Sequence, residues 1–251
     1  MAFGLIIIGD EILSGKRVDK HFAQVREILT ARGLSLAWVE YLGDDPARLS
    51  ATLARTFASE DVVFSCGGIG ATPDDHTRQA AANALGIPLQ AHPEAQRLIT
   101  ERSIEVGLPV TPGRLRMGEF PRGSTLIPNP YNRIAGFSIQ RHWFVPGFPE
   151  MAWPMIEWVL DTNYADVFHT QANDERSFIV RDLAEATLTP LMEQIERDWP
   201  GVKVFSLPRL NTAGYEIELG VKGAKELIES AIGQLLSSVK ELGGKVASTH
   251  S

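Results

Sequence analysis

The chain has 251 residues, 44% hydrophobic and 22% charged, enough for one large domain or two smaller ones with a proper core. Its formal charge of -7 argues against non-specific nucleic-acid binding and against an anionic membrane surface. A single cysteine, Cys66, excludes an internal disulfide framework and fits a reducing compartment.

The opening MAFGLIIIGDE lacks the basic flank and cleavage site of a signal peptide, and its apolar run is too short to span a bilayer. A cytoplasmic protein is expected. Residues 3–8 read as a buried strand, with Gly9-Asp10-Glu11 at its carboxyl end, where open α/β sheets place ligands. Val18, Phe22, Val25 and Leu29 recur at helical spacing, and Gly33 is a good stop. Residues 34–42 read as the next strand. Gly43-Asp44-Asp45-Pro46 then turns into a helix with Pro46 first and Leu49, Leu53 and Phe57 on one face.

Residues 62–77, VVFSCGGIGATPDDHT, are the centre of the chain. Val62, Val63 and Phe64 predict a buried strand, and Gly67-Gly68-Ile69-Gly70 predicts a loop that comes close to a ligand. Thr72 reads as a helix N-cap, Pro73 as the first helical residue, and Asp75 stands three residues after the cap. Strand, glycine loop and helix start together suit an anion. Asp74 and Asp75 are explained by the helix dipole, worth roughly 0.3–1 kcal/mol, or by chemistry. Two carboxylates repel a bare phosphate, so a phosphate here calls for a divalent cation, as Mg²⁺ takes one or two carboxylates plus substrate phosphates. The dinucleotide fingerprint is excluded because Pro73 stands where its third glycine belongs. Residues 9–17 are no P-loop, since Arg17 replaces the metal-binding Ser or Thr. The six histidines, His250 included, show no zinc spacing.

Residues 93–106 predict a helix. Residues 108–130 are rich in Pro, Gly and Arg, and Arg114, Arg116 and Arg122 belong either to a solvated loop or to a phosphate clamp. Residues 137–139 and 143–145 resemble a hairpin, and a helix after Pro149 carries Met151, Met155 and Trp158 towards the core. Alternating strands and helices predict a mostly parallel sheet with helices on both faces. Asp10, Glu11, Asp44, Asp74 and Asp75 are then expected at one crevice. A break is expected between Asp161 and Asp174. Beyond it a β-α-β-β-α order predicts a small α+β domain without a catalytic constellation, a packing or dimerisation module.

The segments Ile8-Gly9-Asp10-Glu11-Ile12-Leu13-Ser14-Gly15 and Gly67-Gly68-Ile69-Gly70-Ala71-Thr72-Pro73-Asp74-Asp75-His76-Thr77 resemble the paired signatures of the molybdopterin-binding MoaB/Mog-like domain family, in its CinA-type branch. Pro128-Asn129-Pro130 also looks like that branch. The resemblance implies a three-layer α/β/α domain over residues 1–165 and a small α+β domain over 174–251; the amidase domain that follows in full-length members is not expected. It implies a small-molecule phosphate ligand, molybdopterin or a nucleotide, and a homo-oligomer. For the CinA-type branch it implies Mg²⁺-dependent cleavage of a nucleotide pyrophosphate such as ADP-ribose or FAD. Asp44 and Asp75 match catalytic, metal-holding positions. Gly9, Asp10, Glu11, Ser14, Gly15, Gly67, Gly68, Gly70, Thr72, Asp74, Thr77 and Asn129 match ligand-binding ones. His21 stands where the branch usually has Asn, and residues 132–136, NRIAG, replace its usual turn. Molybdopterin binding with adenylyl transfer, and a non-catalytic binding module, are the other readings.

Overall fold

The opening apolar run forms β1 (Phe3–Ile8) in a computed structural model of the chain, which describes every residue except 171–172, 212–213 and 249–251. His250 therefore lies outside the described residues, as does part of the expected break between Asp161 and Asp174. The chain divides into two compact units, Met1–Phe168 and His169–Ser251.

In the first unit β1 is followed by α1 (Asp10–Leu13), α2 (His21–Thr30), β2 (Leu36–Leu42), α3 (Pro46–Phe57) and β3 (Val62–Cys66). Then come α4 (Thr77–Leu85), β4 (Leu89–Ala91), α5 (Pro93–Glu105), α6 (Pro112–Leu115), β5 (Glu119–Pro121), β6 (Thr125–Ile127), β7 (Gly136–Ile139), β8 (His142–Val145) and α7 (Pro149–Asn163). Six strands make the main sheet in the order β2-β1-β3-β8-β7-β6. The four from β2 to β8 are parallel, and β8-β7-β6 are antiparallel. The β1 run is apolar throughout because both its faces are buried. Phe3, Leu5 and Ile7 pack with α2 and α7, whereas Ile6 and Ile8 pack with α3 and α4. This is the expected three-layer α/β/α arrangement with a mainly parallel sheet. The chain passes from β1 to β2 on one side and to β3 on the other, so a switch point lies at the carboxyl ends of β1 and β3.

Three local expectations are corrected. The helix after the glycine loop begins at Thr77, not at Pro73, and Thr72 to Asp75 form a turn closed by Asp75 N donating to Thr72 O at 3.1 Å. Proline suits the second position of such a turn as well as it suits a helix start. Val18 lies outside α2 and is exposed. That helix starts at His21, where the Asp19 carboxylate accepts from the N–H groups of His21 and Phe22 at 2.8 and 3.1 Å. Trp158 is exposed, because the buried stripe of α7 runs through Ala152, Met155, Ile156, Val159 and Leu160.

The second unit contains β9 (Asn173–Arg181), α8 (Glu185–Asp198), β10 (Lys203–Asn211), β11 (Gly214–Ala224), α9 (Lys225–Glu241) and β12 (Lys245–Ser248). Its strands are antiparallel in the order β10-β11-β9-β12. The alternate residues Ile217, Leu219 and Val221 share one core with Leu188, Ile195, Ile228 and Leu235 of the two helices. The last strand completes a β-α-β-β-α-β unit that the sequence reading ended one strand short. No helix among the described residues is long and apolar enough to cross a membrane.

Candidate functional site

The carboxyl ends of β1, β2, β3 and β8 carry the loops around one cavity of about 410 Å³, within the range of small-molecule sites. Gly67 N donates to Val145 O at 3.0 Å, which ties the start of the glycine loop to β8. Gly67 and Gly68 have φ of 111° and 68°, in the left-handed region that side chains rarely adopt. A Cβ on Gly68 would lie 2.1 Å from Thr77 Oγ1. The reason is that Thr77 is buried beneath the loop. Its N–H donates to Gly68 O and its hydroxyl to Gly67 O, both at 3.0 Å. Thr77 therefore shapes the loop and stands outside the cavity lining.

Asp75 does similar work from the other end. One carboxylate oxygen accepts from Gly70 N at 2.9 Å, and the other from Thr72 N at 2.7 Å and Thr72 Oγ1 at 2.5 Å. The acceptance from Thr72 N is the reciprocal half of a capping box, although no helix follows directly. With these bonds made, the N–H groups of Gly68, Ile69 and Ala71 have no acceptor among the described residues. All three residues line the cavity. Unpaired N–H groups close together in such a turn form an anion-binding concavity.

Facing them is an acidic wall. Asp10 N donates to Asp44 Oδ2 at 2.9 Å and Asp44 N to Asp10 Oδ1 at 3.2 Å, so the ends of β1 and β2 are locked together. Burial, above all, pushes the Asp44 carboxyl up from its ordinary value. The charges of Asp10, Glu11 and Asp74 push the same way, while the Asp10 N–H bond opposes them. The Thr72 hydroxyl holds the exposed Asp74 carboxyl below its usual range. Glu11, Asp44, Asp74 and Asp75 all line the cavity, with Gly9, Gly67, Gly68, Gly70, Thr72 and Asn129. Asp10 faces Asp44 but is not part of the lining, and neither are Ser14 and Gly15, which turn the chain after α1. Buried Asn129 donates to Ile134 O and accepts from Tyr131 N, both at 3.0 Å, and so folds the 129–134 loop over one side.

The basic groups differ from expectation. None of Arg114, Arg116 and Arg122 lines the cavity; the Arg114 guanidinium is turned to Ser103 Oγ at 3.1 Å. Arg17, set aside as a P-loop misfit, lines it and makes a loose, exposed pair with Glu11 at 3.9 Å. Arg78, second residue of α4, is buried beside the loop. Nothing in its sequence context singled it out, since an arginine in a helix is ordinarily solvated. Cys66 is fully buried, and burial pushes its thiol up, which makes it a core residue and not a nucleophile. Among the described residues no group of three or more His, Cys, Asp or Glu side chains could hold a metal ion.

Residues 4–164 match the family model described as "Probable molybdopterin binding domain". A protein of Pyrobaculum arsenaticum is 28% identical over 221 residues, which is 85% of this chain and 80% of that one. A CinA-like protein of Anaeromyxobacter sp. is 35% identical over 136 residues, 54% of this chain but 33% of its own length. The chain thus spans about a third of that bacterial relative. The crystal structure of CinA from Thermoplasma acidophilum, a protein described as of unknown function, superposes with a TM-score of 0.58 at 25% identity. That likeness covers 64% of this chain and 98% of the other.

Proposed function

The chain belongs to the molybdopterin-binding domain family, as a CinA-like member, and from that premise we propose that its cavity binds a phosphate-bearing nucleotide or pterin and hydrolyses a nucleotide pyrophosphate of the ADP-ribose or FAD class with a divalent cation, Mg²⁺. The observation that carries the reading is the pairing of three acceptor-free N–H groups, on Gly68, Ile69 and Ala71, with the carboxylates of Glu11, Asp44 and Asp74 in one cavity. An anion suits the first set and repels the second, so a phosphate ligand accompanied by a cation satisfies both.

The donor set fits such a cation. Its oxygens are hard, and the like charges around Asp44 create the negative potential that a cation relieves. Asp44 and Asp74 are the residues to hold it, because both oxygens of Asp75 already accept loop hydrogen bonds. When bound, the cation supplies charge neutralisation at the phosphoryl oxygens. The glycine loop binds and orients the pyrophosphate. Thr77 and Asp75 keep that loop open, from below and from its far end.

The test is turnover of ADP-ribose and FAD with Mg²⁺ and with chelator, for the wild type and two variants. Asp44→Asn is expected to lose roughly 10²–10³ in rate and to need more Mg²⁺ for the turnover that is left. Asp75→Asn puts an NH₂ against loop N–H donors and is expected to lose affinity first. Absence of Mg²⁺-dependent turnover in the wild type, or full activity in Asp44→Asn, overturns the hydrolytic reading. The family's description favours a second reading, molybdopterin binding for cofactor assembly, which that outcome with tight pterin binding would support.

A further inference from the structure

The glycine loop is held from behind by a side chain that takes no part in the lining. Arg78 is 3% exposed. One of its terminal nitrogens donates to Gly70 O at 2.6 Å and the other to Arg116 O, while its Nε is buried without a partner among the described residues. A buried guanidinium with one N–H unmade is a poor device for stability, since leaving a buried donor unsatisfied is costly. Its position accounts for it better. In a trans peptide the C=O and the following N–H point in opposite directions. Fixing Gly70 O towards Arg78 therefore aims the Ala71 N–H away from Arg78. The same guanidinium grips Arg116, whose neighbour Met117 also lines the cavity.

We infer that Arg78 is the positioning residue of the anion site: it turns the Gly70–Ala71 peptide so that the Ala71 N–H joins those of Gly68 and Ile69, and it ties the loop to the 116–118 turn. The inference rests on the reading of the cavity as a phosphate site for its purpose, but not for its geometry. A lysine keeps the charge and lacks the planar fork that reaches two carbonyls at once.

The experiment compares wild type, Arg78→Lys and Arg78→Met by amide hydrogen exchange and by calorimetric titration with inorganic pyrophosphate and Mg²⁺. In Arg78→Lys the amides of Gly70 and Thr72, now protected by Asp75, are expected to exchange faster while those of β1 and β3 do not change. Pyrophosphate affinity is expected to fall about tenfold, the size of one lost hydrogen bond. Unchanged exchange at Gly70 and Thr72 overturns the inference, and so does acceleration that spreads equally through β1 and β3. If Arg78→Met does not fold, Arg78→Lys decides. If the wild type binds no pyrophosphate, the phosphate reading fails by itself, and the local exchange rates still decide the role of Arg78.

Discussion

His142 is 1% exposed on β8, with Nε2 2.8 Å from the Thr56 hydroxyl and its ring 4.1 Å from that of Phe57. Burial lowers its pKa to about 4 from an ordinary 6.5, with Asp61 opposing. Between those values the unfolded chain binds the proton and the folded one does not. Stability therefore rises with pH across that window: it is complete above about 6.5 and lost as pH falls towards about 4. The shift corresponds to something on the order of 3 kcal/mol. His142→Phe removes the titrating group and leaves the Thr56 hydroxyl its bond to Leu53 O. Urea unfolding across the window is expected to show a flatter pH dependence in the variant. Parallel pH profiles for the two proteins would mean that other groups set the slope; Asp44, whose carboxyl is raised, acts with the opposite sign. At this scale the sequence was partly legible. It marked Asp44, Asp74, Asp75 and the glycines by type and spacing. It could not mark Arg78 or His142, whose roles depend on which neighbours the fold brings against them.

The glycine loop with α4 is the element on which the site depends, and two glycines separate its backbone strain from its packing. Gly68 has φ 68° and its missing Cβ would meet Thr77 Oγ1, whereas Gly15 has φ 72° with nothing within 4 Å. Gly15→Ala is expected to cost only the left-handed backbone term, about 1–2 kcal/mol. Gly68→Ala adds an overpacking term of roughly 1–3 kcal/mol and pushes Thr77 off its bonds to the loop. Thermal melting with pyrophosphate titration checks the pair: equal losses in both would show that Thr77 yields readily and does not shape the loop. The misplaced helix start has the same origin. Thr72-Pro73-Asp74-Asp75 carries the local chemistry of a cap, and Asp75 does reach back to Thr72 N. The helix nevertheless begins at Thr77, because its N–H and hydroxyl are bound to Gly68 O and Gly67 O, a constraint of loop closure that propensity does not contain. By contrast β1, α3 and the β7–β8 hairpin followed from pattern alone, since local preference and burial agree there. The strand β12 did not, being four residues with no long apolar run.

At the scale of the whole molecule, every residue lining the cavity comes from the unit Met1–Phe168, which has its own two-sided core. Its end is well anchored. Phe168 packs on the core formed with α2 and α7, and the Arg32 guanidinium lies 5.7 Å from the centre of its ring. Arg32 is itself held by both oxygens of Asp161, at 2.6 and 2.9 Å. A chain cut after Phe168 keeps these contacts, whereas one cut after Ala165 loses the Phe168 ring. Half-burial of that ring is worth roughly 1 kcal/mol. The 1–168 fragment is therefore expected to fold and to bind pyrophosphate with Mg²⁺ within about threefold of the full chain, a difference under 1 kcal/mol. The 1–165 fragment is expected to melt lower with the same affinity. Circular dichroism melting and calorimetric titration of both fragments beside the full chain decide it. A 1–168 fragment that folds and binds nothing, where the full chain binds, would show that the second unit contributes to the site, and the assignment of the cavity to the first unit alone would have to be given up.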